Sequence, residues 1–103
     1  MDINKLFNIN GKTALITGGS RGIGEMIAAG FLANGVKVYI TARKEAPLIE
    51  KAKELSEKFN GECIAIPCDL SNMEGIQKLA SDYLNHEDSL DILVNNAGAA
   101  WGE

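Results

Sequence analysis

The chain has 103 residues, a formal net charge of −4 at pH 7 and a sequence pI of about 5.0. This length allows one domain at most, and the acidic balance gives no reason to expect nucleic acid or an anionic membrane surface as a partner. No apolar run approaches the roughly 18 residues that span a bilayer. The first residues also lack the form of a secretory signal peptide, so a cytoplasmic location is predicted.

From residue 12 onward, apolar runs alternate with stretches of helical periodicity. Strand patterns cover residues 12–17, 36–41, 62–67 and 90–95, and helix patterns cover 21–33, 46–59 and the stretch that follows Ser71. The first helix is predicted to carry an apolar face made of Ile23, Ile27, Phe31 and Leu32. The third helix is predicted to begin at a capping box, with Ser71 as the cap residue and Glu74 three residues later.

Nearly continuous apolar strands are typical of a parallel sheet that helices cover on both faces. Right-handed crossover connections then predict a doubly wound α/β sheet with the strand order 3-2-1-4. The fourth strand would be an edge of this sheet, although its sequence is as apolar as that of a central strand. The chain is therefore interpreted as the first part of a larger domain.

The segment from Thr17 to Gly24 connects the first strand to the first helix. Gly18 would let the chain leave the strand sharply, Gly22 would let the backbone approach an anion without a Cβ clash, and Gly24 would let the helix pack close to the sheet. Free N–H groups and the helix dipole favour a nucleotide pyrophosphate at such a turn. The alternative is a purely structural tight turn. A P-loop is excluded, because no Lys-Ser/Thr pair follows the glycines.

The end of the second strand bears on the choice between NAD and NADP. An acidic residue at this place holds the ribose 2′-hydroxyl of NAD, but this chain carries Arg43 there and has no carboxylate until Glu45. Arg43 would pair with a 2′-phosphate through two N–H bonds, and Arg21 of the glycine turn could reach the same phosphate. NADP(H) is therefore predicted over NAD(H), with a solvated surface arginine as the alternative for Arg43.

Two further segments follow strand ends at the same edge of the predicted sheet. Asp69 comes after the third strand, where its carboxylate could accept a hydrogen bond from an adenine amino group or serve only as a turn or cap residue. The segment Asn95-Asn96-Ala97-Gly98 ends the fourth strand. Its small residues leave room for a ribose, and its asparagines can tie neighbouring strand ends together.

The sequence gives no support to disulfide, histidine or metal chemistry. Cys63 and Cys68 flank the third strand and lie too far apart along an extended chain to bridge, so both are predicted to be reduced and mostly buried. His86 is the single histidine and is predicted to be solvated at a helix end. No cluster of metal-ligand residues occurs in the sequence.

Taken together, these segments resemble the short-chain dehydrogenase/reductase family, in the family's order and spacing and from about residue 10 onward. The resemblance implies an NAD(P)-binding Rossmann-type sheet of which residues 1–103 hold the first four strands, without the catalytic portion. It also implies that Ser20, Ile23, Leu70 and Ala97 line the cofactor. The predicted cofactor site comprises Gly18, Ser20, Arg21, Gly22, Ile23, Gly24, Arg43, Asp69, Leu70, Asn95, Ala97 and Gly98.

The resemblance implies hydride transfer between NADPH and a carbonyl or alcohol substrate, by an enzyme that forms homo-oligomers. The Ser-Arg-Gly-Ile-Gly form and the run that ends in Ala-Ala-Trp-Gly are similar to those of NADPH-dependent 3-oxoacyl reductases. This similarity implies a 3-oxoacyl thioester as substrate, with a sugar, polyol or other small alcohol as the alternative.

The family's catalytic serine and its Tyr-x-x-x-Lys pair cannot be placed in this chain. Tyr39 and Tyr83 are followed four residues later by Arg43 and Glu87 instead of lysine, so both tyrosines are assigned to packing. The 103-residue chain alone is therefore expected to lack reductase activity. Three interpretations stay open: part of an oxidoreductase, a non-catalytic nucleotide-binding module, or a regulatory fragment that pairs with a partner through the edge of the fourth strand.

Overall fold

The computed structural model describes residues 9–96, in which four strands and three helices alternate. The strands are β1 (Thr13–Thr17), β2 (Lys37–Ala42), β3 (Cys63–Pro67) and β4 (Ile92–Asn95), and the helices are α1 (Gly22–Ala33), α2 (Glu45–Phe59) and α3 (Met73–Leu84). Every predicted element is present. Within this described part of the chain, none of the helices has the length and apolar character that a membrane span requires.

The strands form one parallel sheet in the predicted order β3-β2-β1-β4. Helices α1 and α2 bury one face of the sheet, where Ala28 and Leu48 pack with Ile16 and Ile40. Helix α3 covers the other face, where its residues Leu79 and Tyr83 pack with Leu15, Tyr39 and Ile66. The sheet is therefore doubly wound, as the alternation of apolar runs and helical periodicity predicted.

The buried face of α1 differs from the prediction. It consists of Gly24, Ala28 and Leu32, whereas Ile23 is 66% exposed and Ile27 is only half-buried. The small residues allow the helix backbone to lie close to the sheet, which larger side chains would prevent. Leu32 is buried as predicted, and Ile27 and Phe31 are partly buried and pack against the core. The prediction is wrong for Ile23 and missed Gly24 and Ala28, because it considered only the larger apolar residues.

The cap of α3 also differs from the prediction. Asn72, not Ser71, is the cap residue, and its Oδ1 accepts a hydrogen bond from the Gly75 N–H at 2.7 Å. The Ser71 hydroxyl instead donates to Asp69 Oδ1 at 2.6 Å. Asparagine is as favourable a cap as serine, so the spacing between Ser71 and Glu74 alone was an insufficient criterion.

Candidate functional site

The carboxyl ends of the four strands meet at one edge of the sheet. Strand pairing places Thr41 and Asn95 on either side of Thr17 at this edge. The chain leaves β1 toward β2 through α1, while β4 lies on the other side of β1. Ligands of open parallel sheets bind outside the carboxyl edge, where successive connections diverge in this way. The predicted site residues lie at or just after the strand ends at this edge.

The turn between β1 and α1 requires glycine at two positions. Gly18 has φ +71° and Gly22 has φ +60°, values that side-chain-bearing residues rarely adopt. The Gly18 N–H donates to Thr41 O at 2.9 Å, which anchors the turn on β2. A Cβ added to Gly22 would meet no atom within 4 Å, so the space beside this residue is open to a ligand.

Helix α1 begins directly at this turn and lies close to it. A Cβ on the buried Gly24 would overlap the carbonyl oxygen of Gly18, so the absence of a side chain permits this contact. Arg21 occupies the cap position in an extended conformation and makes no side-chain capping bond. The first N–H groups of a helix have no intrahelical acceptor, and together with the helix dipole they attract an anion.

The end of β4 is tied to the same turn through Thr17. The Thr17 hydroxyl lies 3.1 Å from Asn95 Oδ1, and it accepts a hydrogen bond from the Asn96 backbone N–H at 2.8 Å. The Asn96 side chain donates to Gly18 O at 3.3 Å. The prediction that the asparagines tie strand ends together is confirmed, although the sequence analysis gave no role to Thr17. The predicted site residues Ala97 and Gly98 lie outside the described residues.

Arg21, Arg43 and Asp69 also lie at the carboxyl edge. Both arginine side chains are exposed. The Ser71 hydroxyl and the Ser71 N–H bond to Asp69 Oδ1 and lower the pKa of the Asp69 carboxyl, and the charge of Arg43 lowers this pKa further. Arg43 and Asp69 are therefore close enough to interact, although they follow different strands. Asp69 therefore also has the turn role that was its alternative. Within residues 9–96, the two hydrogen bonds of this turn, from the Ser71 N–H and the Ser71 hydroxyl, both go to Asp69 Oδ1.

The remaining predicted site residues are available to a ligand. Ser20 is half-buried in the glycine turn, and Ile23 is exposed in the first turn of α1. Leu70 lines an apolar groove of about 530 Å³ between α3, β1 and β4, together with Thr17 and Asn95. The carboxyl edge therefore combines a glycine turn at a helix N-terminus, two exposed cations and an adjoining apolar groove.

Of the other candidate groups, Cys63 begins β3 at the opposite edge, whereas Cys68 directly follows β3 at the carboxyl edge. Cys63 and Cys68 are buried free thiols, as predicted, and burial raises the pKa of Cys63 to about 12. His86 is exposed just after α3, where it was expected. Within the described range, no three His, Cys, Asp or Glu side chains are grouped so that they could hold a metal ion.

Both tyrosines are packed in the interior. The rings of Tyr39 and Tyr83 meet edge to face, with their centroids 5.0 Å apart. Burial is the main reason that the pKa of Tyr39 rises to about 12, and its hydrogen bond to Glu87 adds to the increase. The packing role that was predicted for both tyrosines is therefore confirmed.

The fold and the carboxyl-edge site define a dinucleotide-binding type of α/β domain. The sequence model of the family described as short chain dehydrogenase matches residues 12–103, and the chain belongs to this family.

One related protein sequence and two related solved structures agree with this assignment. The chain is 49% identical over 96 residues to the rhamnolipids biosynthesis 3-oxoacyl-(acyl-carrier-protein) reductase of Pseudomonas aeruginosa, covering 93% of this chain and 37% of that protein. The Pseudomonas aeruginosa RhlG/NADP active-site complex has a TM-score of 0.84 at 49% identity, covering 89% of this chain and 36% of that chain. The L-sorbose reductase of Gluconobacter frateurii, solved with NADPH and L-sorbose, has a TM-score of 0.84 at 40% identity. The match covers 88% of this chain and 35% of that chain. The chain thus spans little more than a third of the length of these relatives.

Proposed function

We propose that this chain binds NADP(H) at the carboxyl edge of its sheet, as the cofactor-binding part of a reductase. The observation that carries the proposal is the position of Arg43, which is exposed directly after β2 where an NAD-binding domain carries a carboxylate. The open space beside Gly22 fits a pyrophosphate. The proposal is supported by the two related structures, which are complexes with NADP and NADPH.

Each part of the cofactor has a candidate partner in this arrangement. The glycine turn and the first N–H groups of α1 would hold the pyrophosphate, and Arg43 with Arg21 would hold the 2′-phosphate. Asp69 would accept a hydrogen bond from adenine through Oδ2. Ser20, Ile23, Leu70 and Asn95 would line the cofactor, with Ala97 and Gly98 beyond the described residues. When bound, the cofactor would supply the hydride, while these residues bind and orient it.

Substitution of Arg43 tests the proposal. A hydrogen bond to a charged group contributes about 1.5–3 kcal/mol, so Arg43→Ala should raise the NADPH dissociation constant by roughly tenfold to a hundredfold. The NADH constant should change little, because NADH lacks the 2′-phosphate. Lys53→Ala removes another exposed positive charge, on α2, and serves as the control. Fluorescence titration with both nucleotides gives the constants, and equal affinity of the parent chain for NADPH and NADH would contradict the proposal.

For the whole protein that carries this chain, we propose a homo-oligomeric reductase of 3-oxoacyl thioesters. The identity of 49% to the Pseudomonas aeruginosa 3-oxoacyl reductase supports this substrate class. The identity of 40% to a sugar reductase supports a sugar or polyol as the second candidate. NADPH oxidation by the protein isolated from its native source, with acetoacetyl-CoA and with L-sorbose, distinguishes the two. Faster turnover of the sugar would overturn the thioester proposal.

We further propose that residues 1–103 alone bind the cofactor without turning it over. This proposal is supported by the buried, hydrogen-bonded positions of Tyr39 and Tyr83 and by the lack of a Tyr-x-x-x-Lys pair in the sequence. Sustained NADPH oxidation by the purified chain with either substrate would contradict it. The NADPH affinity of the same purified chain is the control, because a chain that binds NADPH without oxidising it is folded but inactive.

A further inference from the structure

Strand β3 is an edge of the sheet within residues 9–96, where it pairs with β2 alone. A free strand edge presents unpaired N–H and C=O groups, and it can pair with a strand of another molecule. Charged side chains often discourage such pairing, but β3 is apolar throughout, from Cys63 to Pro67, and carries no charge. The outer edge of β3 therefore needs another form of protection.

Alternate residues of β3 direct their backbone groups away from β2. The Glu62 C=O and the Cys68 N–H, on either side of the strand, both bond to the backbone of β2. Because successive residues of a strand alternate in direction, the backbone groups of Cys63, Ala65 and Pro67 point to the outer side of the sheet. Proline has no N–H, so this edge could offer a second strand the N–H groups of Cys63 and Ala65.

The hydroxyl of Ser56 occupies the outward side of Cys63. It accepts a hydrogen bond from the Cys63 N–H at 2.9 Å and donates one to the Cys63 carbonyl oxygen at 3.2 Å. A hydroxyl can donate and accept at the same time, so one side chain satisfies both backbone groups. Ser56 lies in the last turn of α2, and the N–H groups of Asn60 and Gly61 donate to its carbonyl oxygen. This turn brings the start of β3 back beside Ser56.

We infer that Ser56 protects the outer edge of β3 from pairing with a strand of a second copy of this chain. Ser56 occupies Cys63, and Pro67 lacks an N–H, so within the described residues Ala65 is the one outward residue of β3 that keeps both a donor and an acceptor. One such residue is too short a template, because strands usually have about three residues or more. This role concerns association and does not depend on NADP(H) binding.

Association of the folded chain tests the inference. Ser56→Ala removes the hydroxyl and frees the backbone groups of Cys63, whereas Ser56→Thr keeps a hydroxyl. Ser81→Ala makes the same change at an exposed serine of α3 and is the control. All three are made in a Leu93→Lys reference protein, in which the edge of β4 contributes little to association. Sedimentation velocity gives the association constants, and circular dichroism without denaturant checks that each protein is folded.

We expect Ser56→Ala to raise the association constant by roughly tenfold, the gain expected from two additional hydrogen bonds. Ser56→Thr and Ser81→Ala should associate as the reference does. In the Ser56→Ala protein, hydrogen exchange at the Ala65 N–H should slow as the concentration rises, because a second strand would accept this hydrogen bond. Equal association constants for Ser56→Ala and Ser81→Ala would overturn the inference.

A second substitution separates edge pairing from aggregation that follows a loss of stability. Ala65→Pro removes the outward N–H and no hydrogen bond to β2, a position that proline tolerates on an edge strand. Added to Ser56→Ala, it should return the association constant to that of the reference, while urea unfolding should show no recovery of stability. Association that persists in the double variant would show that lost stability is the cause, and it would overturn the inference.

Two further comparisons apply if a variant does not fold. Ser56→Val can replace Ser56→Ala and be compared with Ser56→Thr, because valine and threonine have nearly the same shape and only threonine has a hydroxyl. If the double variant does not fold, hydrogen exchange at Ala65 decides: exchange that slows with concentration supports edge pairing, and exchange that does not change with concentration contradicts it.

Discussion

The Nζ atom of Lys37 lies 2.7 Å from Glu87 Oε2, so β2 is joined directly to the connection between α3 and β4. The Tyr39 hydroxyl donates to the same carboxylate oxygen. The side chain of Glu87 is only 17% exposed. Its carboxylate is the partner of both the buried Tyr39 hydroxyl and the Lys37 ammonium group. This cluster lies toward the amino ends of the strands, away from the proposed cofactor site, so we expect it to contribute to stability.

Glu87→Ala should destabilise the fold. The substitution leaves the fully buried Tyr39 hydroxyl without its acceptor, which costs about 1–3 kcal/mol. Glu87→Gln keeps an acceptor oxygen and should cost less. Urea unfolding measures the stability of both variants. Asp88→Ala, a substitution at the neighbouring exposed residue, is the control. Equal stability of Glu87→Ala and the control would contradict this role for Glu87.

Stability should fall in acid because of the same carboxylate. The bond to Lys37 and then the bond to Tyr39 lower the pKa of Glu87 below its ordinary value of 4.5. A group whose pKa is lower in the folded state stabilises the fold above the unfolded pKa, and this stabilisation is lost as the pH falls through the folded value.

The unfolding free energy should therefore be nearly constant from about pH 7 to 5 and decrease as the pH falls below the ordinary glutamate pKa of 4.5. Urea unfolding at a series of pH values measures this decrease. Glu87→Gln cannot ionise and should show a shallower decrease than the parent. Identical acid profiles for the two proteins would show that Glu87 is not the group responsible.

Two glycines of α1 provide a matched pair of substitutions. Gly24→Ala places a Cβ on the carbonyl oxygen of Gly18, whereas Gly30→Ala adds a Cβ with no atom within 4 Å. Gly24→Ala should cost about 1–3 kcal/mol of stability, as overpacking does, and should weaken NADPH binding. Gly30→Ala should stabilise the helix by about 0.5–1 kcal/mol. Thermal or urea unfolding tests both, and equal effects at the two sites would contradict the close contact between α1 and the glycine turn.

Within residues 9–96, β4 is an edge strand of the sheet, and we expect this edge to make the 103-residue chain self-associate. Leu93 is exposed on this strand, and it lines the apolar groove together with Ile76 and Leu84 of α3. A lysine on an edge strand discourages edge-to-edge pairing, so Leu93→Lys should shift the chain toward the monomer in sedimentation velocity. Leu93→Met keeps the apolar character and should behave as the parent does. A parent chain that is already monomeric at high concentration would contradict this expectation.

The features that were predicted correctly depend on residues close together in the sequence. The glycine segment and the alternating apolar runs were sufficient to predict the strand order and the turn at Gly22. The errors arose where two neighbouring residues compete for one role, as Ser71 and Asn72 do at the cap of α3. The bonds from Thr13 to Asp91 and from Tyr39 to Glu87 join residues 78 and 48 positions apart, and no local pattern indicates such pairs.

The most direct test of NADP(H) binding at the carboxyl edge is an NMR titration of the isotope-labelled chain with NADP⁺. We expect the largest amide shifts in residues 18–24, with further shifts at Arg43 and Asp69, and little change at Lys37 and Glu87 of the opposite edge. No saturable shifts, or shifts centred on Lys37 and Glu87, would contradict the proposed site.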